Sequence, residues 1–244
     1  MLTDEELTRY DRQIRVWGVE AQEKLKKSTV AIFGLGGLGS PVATYLVAAG
    51  VGRVILIDSE KVELSNLNRQ FLHWTSDIGS FKVESAFAKL RKLNPDVKID
   101  IINKRINTLD DALEIIREAD IVVDCLDNWK TRFLINEACV KLSKPLIHAA
   151  IRGLYGQLMV VIPRAGPCLR CIFPENIQEE KHLPVAGPTA GFLGSLEALE
   201  ALKILTGHGE IPIGRLFIFD GARSSFEVLK VSRREDCPVC SKPS

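Results

Sequence analysis

Four glycines fall within six residues, at Gly34, Gly36, Gly37 and Gly39, directly after the apolar run Val30-Ala31-Ile32-Phe33. A second apolar run, Val54-Ile55-Leu56-Ile57, ends in Asp58. This spacing predicts a buried strand, a glycine turn, a helix and a second buried strand that closes on an acid. Such a unit suits a nucleotide. Gly34 permits the tight turn, Gly36 lets backbone N–H groups approach phosphate oxygens, and Gly39 lets the helix pack closely. The helix N-terminus offers unpaired donors and the positive end of a dipole to an anion. Asp58 stands where a carboxylate accepts hydrogen bonds from ribose hydroxyls. By themselves these residues fit a generic NAD- or FAD-binding enzyme about as well as any other nucleotide site.

More polar residues fall where the carboxyl-end crevice of a parallel sheet should be. One loop reads Ser65-Asn66-Leu67-Asn68-Arg69-Gln70, Lys82 opens a helix, and Cys125-Leu126-Asp127-Asn128 follows a short apolar run. An arginine and a lysine beside a phosphate cradle favour a triphosphate over the pyrophosphate of a dinucleotide. Asp127 is a natural ligand for a magnesium ion bridging phosphates. Each residue also has a plainer role. Arg69 could form a surface ion pair, Lys82 could be a solvated helix-start residue, and Asp127 could cap the helix near Trp129. The joint arrangement outweighs these readings.

The cysteines form the second cluster. Four of the six occur as Cys168-x-x-Cys171 and Cys237-x-x-Cys240, separated by 65 residues. Two such hooks supply four thiolates for a closed tetrahedral zinc site that ties the chain end back to the segment after Ile162. A redox reading is weaker, because a proline-glycine turn rather than a strand-to-helix junction precedes Cys168. Cys125 and Cys139 read as packing residues. His73, His148, His182 and His208 have no metal or triad spacing and receive no role.

The elements that must position these groups alternate. Residues 3–27 read as helical. Strands are expected at 29–33, 54–58, 98–102, 121–124, 146–150 and 157–162. Helices are expected at 40–49, 82–93, 109–119 and 131–142, with a long polar loop over 59–79. After a loop over 173–188 come a long helix at 189–205 and two strands, 216–220 and 226–231, paired antiparallel. The fold class is α/β: a Rossmann-like, mostly parallel sheet with helices on both faces, an antiparallel C-terminal extension and a structural zinc site. The expected organisation is one domain over 1–244. It comprises an N-terminal helical segment (1–27), a nucleotide-binding core (28–162) and a zinc-tied extension (163–244). A 46% hydrophobic composition supports a large core. The net charge of +1 argues against a nucleic-acid partner. No apolar run reaches membrane-span length, and the acidic start does not read as a secretory signal, so a cytoplasmic location is expected.

The chain resembles the MoeB/ThiF adenylyltransferases, relatives of the ubiquitin-activating enzymes. The resemblance runs from about Arg9 to Cys240. It rests on Arg9-Tyr10-Asp11-Arg12-Gln13, the glycine turn, Ser65–Gln70, Gly79-x-x-Lys82-Val83, Asp124–Asn128, both cysteine pairs and Gly194-Ser195-Leu196-Glu197-Ala198. It implies adenylation, by ATP with magnesium, of the C-terminal glycine of a small ubiquitin-like sulfur-carrier protein ending in Gly-Gly. Such carriers serve molybdopterin, thiamine or thio-nucleoside synthesis. Gly37, Asp58, Ser65, Asn66, Asn68, Arg69, Lys82, Asp127 and Asn128 would then contact ATP. Asp127 would hold magnesium, and Arg12 would reach across a homodimer interface. Many relatives carry a reactive cysteine before the Gly194–Ala198 motif, but residues 172–194 contain none, and Glu180 falls near its position. The expectation is therefore an acyl-adenylate attacked by an external sulfur donor, since no sulfurtransferase domain is evident in the sequence. Three other readings are an NAD-dependent oxidoreductase, which leaves Arg12, Arg69 and Lys82 unexplained, a non-catalytic scaffold that binds a ubiquitin-like partner, against which the set of nucleotide residues argues, and a tRNA-modifying ATP-dependent dehydratase of the same superfamily, which suits a more basic chain.

Overall fold

The computed structural model describes residues 1–177 and 183–241. Its strands are β1 (Thr29–Phe33), β2 (Arg53–Ile57), β3 (Lys98–Ile102), β4 (Ile121–Asp124), β5 (Leu146–Arg152), β6 (Tyr155–Val161), β7 (Arg215–Asp220) and β8 (Ser225–Lys230). They form one sheet in the order β3-β2-β1-β4-β5-β6-β7-β8. Strands β1 to β5 run parallel, and β6, β7 and β8 add antiparallel. Phe33 at the end of β1 is level with Ile57 on one side and Asp124 on the other. The three loops that follow therefore leave the sheet at one edge.

Alternation along β1 sends residues to two cores. Val30 and Ile32 pack into one, and Ala31 and Phe33 into the other. The first core is covered by α4 (Gly39–Ala48), α5 (Lys82–Leu93) and α9 (Gly187–Thr206), through Leu46, Leu90 and Leu193 among others. The second is covered by α6 (Leu109–Ile116) and α7 (Trp129–Leu142), through Ile116 and Ile135, and it also takes in α8 (Leu169–Ile172). Fully burying each such aliphatic side chain contributes about 1.5–3 kcal/mol. Helices on both faces agree with the expected fold class.

Several boundaries differ from expectation, each for a local reason. The N-terminal segment is helical as expected, in three pieces, α1 (Asp4–Arg9), α2 (Asp11–Trp17) and α3 (Val19–Lys27). Breaks fall at Tyr10 and at Gly18, whose φ of 85° no helix tolerates. Helix α9 begins two residues early because Pro188 is accepted in its first turn. Strands β5 and β6 extend to Arg152 and Tyr155, which pair across a two-residue turn at Gly153 and Leu154. The loop over 59–79 carries two short 3-10 turns, Leu64–Asn66 and Thr75–Asp77. Among the described residues no helix is long and apolar enough to cross a membrane.

Candidate functional site

Strand β1 lies between β2 and β4, so the chain leaves the sheet in opposite directions on its two sides. This is the switch point at which open α/β sheets bind ligands. Gly34 has a φ of 93°, and a Cβ there would sit 2.6 Å from the Cys125 carbonyl oxygen. The turn after β1 thus presses directly on the loop after β4. A Cβ on Gly39, the first residue of α4, would meet the Gly34 carbonyl oxygen at 2.0 Å, and one on Gly37 would meet Ala190 of α9 at 2.9 Å. Gly36 differs: its nearest neighbour would be Gln70 Nε2 at an ordinary 3.6 Å. Packing rules out a side chain at the other three, whereas over Gly36 only the Gln70 side chain stands, at contact distance.

Asp58 stands just beyond β2. Its Oδ2 accepts the Leu35 N–H at 2.8 Å and its Oδ1 the Glu60 N–H at 2.8 Å. Burial raises its pKa, against the pull of the Lys82 cation and these two donors. Each carboxylate oxygen keeps a second lone pair for a ribose hydroxyl. His73, which the sequence left without a role, grips the same turn. Its Nε2 lies 2.9 Å from the Leu35 carbonyl oxygen and its Nδ1 2.8 Å from Ser85 Oγ. This fits a neutral ring that donates from Nε2 and accepts from Ser85.

The cations flank the turn. Lys82 opens α5, is buried, and places Nζ 2.6 Å from Glu60 Oε2. Glu60 itself is largely exposed, so a phosphate can take its place without stranding a buried carboxylate. Arg69 Nη1 donates to the Ser65 carbonyl at 2.8 Å and to Asn68 Oδ1 at 3.1 Å. Its Cγ would lie 3.7 Å from a Cβ on Gly37, which puts it beside the glycine turn. Ser65 and Asn68 are exposed, whereas Asn66 is buried and holds the loop by accepting the Glu63 N–H at 3.0 Å.

Asp127 is exposed and lines a cleft of about 370 Å³ with Trp129, Arg132, Tyr155 and Gln157. The helix cap belongs to Asn128 and not to Asp127: the Asn128 side chain accepts the Thr131 N–H at 3.0 Å. Arg12 is not brought to this crevice within its own chain. It is exposed on α2, and its neighbour Gln13 donates to the Ala49 carbonyl at the far end of α4. A ten-residue helix spans about 15 Å between that point and the glycine turn.

Beneath the cleft lies a buried polar network that the sequence did not reveal. His148 Nδ1 is 2.7 Å from Asp124 Oδ2, with both side chains fully buried. Gln157 Nε2 approaches His148 Nε2 at 3.4 Å. Burial lowers the His148 pKa although Asp124 raises it, so the ring stays neutral and donates from Nδ1. Arg132 reaches the carbonyls of Leu126 and Ala149. Cys125 Sγ lies 3.7 Å from Glu197 Oε2, and burial pushes both of their pKa values well up. The sheet register joins Asp124, His148 and Gln157, and the packing of α7 and α9 on the sheet adds Arg132 and Glu197; neither residue type nor spacing signals these contacts.

The cysteine hooks do meet. Cys168, Cys171, Cys237 and Cys240 are buried, and their sulfurs lie within 4.8 Å of one another. Cys168 and Cys237 sulfurs are 3.6 Å apart, and those of Cys171 and Cys240 3.4 Å. A tetrahedral zinc with bonds of about 2.3 Å sets its thiolates roughly 3.8 Å apart, close to this arrangement. None of the cysteines is in a disulfide. The cluster therefore fits zinc. A one-turn helix, Leu169–Ile172, does begin after Cys168, contrary to the expected turn geometry. The second pair closing over the first is what argues against a redox motif. His182 and Glu180 lie outside the described residues.

Fold and site together define a doubly wound α/β protein with a glycine turn at its switch point and a four-cysteine clasp. The chain belongs to the ThiF family, whose model matches residues 10–239. It is 43% identical, over 98% of its length, to the adenylyltransferase and sulfurtransferase MOCS3 of Culex quinquefasciatus, covering 56% of that protein. Against MOCS3 of Drosophila yakuba the identity is 45%, over 98% of this chain and 54% of the relative. The chain thus spans about half the length of the curated relatives it matches. Crystal structures of E. coli MccB superpose closely. The structure with ATP has a TM-score of 0.88 at 25% identity, covering 96% of this chain and 75% of the other. The structure with MccA-N7isoASN has a TM-score of 0.89, also at 25% identity, with 97% and 75% covered.

Proposed function

We propose that residues 1–244 act as one adenylation unit, which uses ATP to activate the C-terminal glycine of a small ubiquitin-like sulfur-carrier protein. The observation that carries this reading is the glycine turn pressed against the loop that leads to Asp127, with Asp58 bonded to the Leu35 N–H, Lys82 acting on Asp58 and Arg69 beside Gly37. Family membership, and the MccB structure with ATP, support it.

The carrier's terminal carboxylate is ionised near neutral pH and needs no general base. Its oxygen bonds to the α-phosphorus as the bond from that phosphorus to the bridging oxygen breaks. Pyrophosphate leaves with the electron pair, and an acyl-adenylate remains. Such a step needs positioning and charge neutralisation more than a covalent catalyst. Lys82, on leaving Glu60, and Arg69 beside the glycine turn supply positive charge. Asp127 would hold magnesium, whose hard-cation preference suits an exposed carboxylate. When bound, that ion would neutralise phosphate charge. Asp58 would hold the ribose. The placement of Arg12 away from its own crevice supports supply from a second copy in a homodimer.

We further propose that the adenylate is attacked by a sulfur donor outside residues 1–244, without a thioester on this chain. Residues 172–194 contain no cysteine, and all six cysteines are buried. Carrier-dependent exchange of labelled pyrophosphate into ATP tests the reading, using Gly-Gly-ended carriers and tail-truncated controls. Exchange with intact carriers only is expected. No exchange with any carrier, together with calorimetric binding of NAD and not of ATP, would end it.

A further inference from the structure

We propose that Arg132 is a positioning residue that sets the Asp127 loop for a magnesium-bound nucleotide. The inference rests on the adenylation reading but can be tested apart from it.

Arg132 sits in the first turn of α7 and is only 4% exposed. One terminal nitrogen, Nη2, donates to the Leu126 carbonyl in the loop and to the Ala149 carbonyl of β5, the latter at 3.0 Å. Its Nε lies 3.6 Å from Asp124 Oδ2. The guanidinium also lies 5.1 Å from the centre of the Trp129 ring. Asp124 in turn accepts the Leu126 N–H at 3.1 Å and is held from behind by His148. Leu126 is therefore gripped on both sides, its N–H by Asp124 and its C=O, in the peptide that joins it to Asp127, by Arg132. The next residue is Asp127. Fixing the preceding peptide fixes where the Asp127 side chain starts, and the hydrogen bond to Ala149 fastens that point to the sheet.

Two carbonyls meet at Nη2 while Nε faces the Asp124 carboxylate at 3.6 Å; a lysine ammonium could stand in for Nη2 but not for Nε as well. Arg132 also borders the cleft, so direct contact with a carrier tail is the competing role. Its burial and its engagement with three main-chain and side-chain oxygens argue for the internal role. Groups that orient a metal's ligands typically change metal affinity when removed.

The test uses Arg132→Met, Arg132→Lys and Asp124→Asn in the full chain. ATP binding is measured by calorimetry with magnesium and with EDTA, beside pyrophosphate exchange and thermal unfolding. In Arg132→Met, binding with magnesium should weaken about 10–100-fold, the usual effect of losing a supporting group. Binding in EDTA should stay within about twofold, since Arg132 then orients nothing the nucleotide uses. Arg132→Lys should recover part of the loss. If Arg132→Met does not fold, Arg132→Lys and Asp124→Asn carry the test, and each should weaken magnesium-dependent binding selectively. A folded variant with wild-type magnesium dependence overturns the proposal, as does a defect confined to the KM for the carrier. Should the wild-type protein bind ATP with magnesium yet activate no carrier, the adenylation reading falls while the calorimetry still decides the role of Arg132.

Discussion

The switch-point crevice, proposed to hold the nucleotide, and the cysteine clasp gather residues from comparably distant parts of the chain and hold them in opposite ways. In the crevice, Asp58, Arg69, Lys82 and Asp127 come from separate loops and helix starts. Lys82 is parked on the exposed Glu60, and Arg69 on the carbonyl of its own loop. These partners can be exchanged for those of a ligand. In the clasp, four sulfurs from two short turns close on one another inside the second core. Nothing there is left open for an incoming group. A site that must accept and release substrate keeps replaceable contacts, and a site that fixes the chain does not.

The sharpest way to break this contrast is to remove the metal. Native protein should contain one zinc per chain. Chelation should lower the unfolding free energy by several kcal/mol, less than the roughly 10–16 kcal/mol with which isolated fingers bind structural zinc. Hydrogen exchange should rise first after residue 162. An unchanged denaturation midpoint in chelator would show that the clasp is not metal-bound.

The next largest effect is expected at Arg12. Arg12→Ala should reduce exchange about 10³–10⁵-fold, the scale of an arginine supplied in trans. Mixing it with Asp127→Ala protein should restore roughly a quarter of wild-type activity, because half of randomly formed two-fold dimers then contain one complete site. Failure of mixing to restore activity argues that Arg12 acts within its own chain.

Asp127→Ala and Arg69→Ala each remove one charge-stabilising group and should slow exchange about 10²–10³-fold. Their melting temperatures should not move, since their contacts lie on loops. Exchange retained in both variants would remove them from the site.

The smallest effect concerns pH. Burial lowers the pKa of His73 and of His148 below the ordinary histidine value. Below about pH 6.5 the unfolded chain therefore binds more protons at these rings, and the stability present above that pH is lost as pH falls. Each ring contributes a slope of at most about 1.4 kcal/mol per pH unit. Denaturant midpoints should fall from pH 7 to 5, and His73→Gln should flatten that fall. An unaltered slope in the variant would deny His73 its share.

The legible parts of the sequence were those encoded over short distances. The glycine turn, the strand ending before Asp58 and the paired cysteines each announce themselves within ten residues. Helix starts were less legible because capping depends on which of two neighbours turns back. Asn128 does so, and Asp127 does not. The contacts of His73 with Leu35 and of His148 with Asp124 were not legible at all. Each joins residues 24 or more positions apart through the sheet and its packed helices. A lone histidine carries no local sign of such a partner. Arg12 was legible as a functional candidate, but not its position at the opposite end of α4.

The clasp also changes the topology of the polypeptide. With zinc bound, it would tie residues 168 and 171 to residues 237 and 240 and turn the intervening stretch, with α9, β7 and β8, into a closed circuit. A single protease cut within that circuit would leave both fragments bridged by metal. The nicked protein should migrate as one species on a native gel and come apart only when the ion is withdrawn.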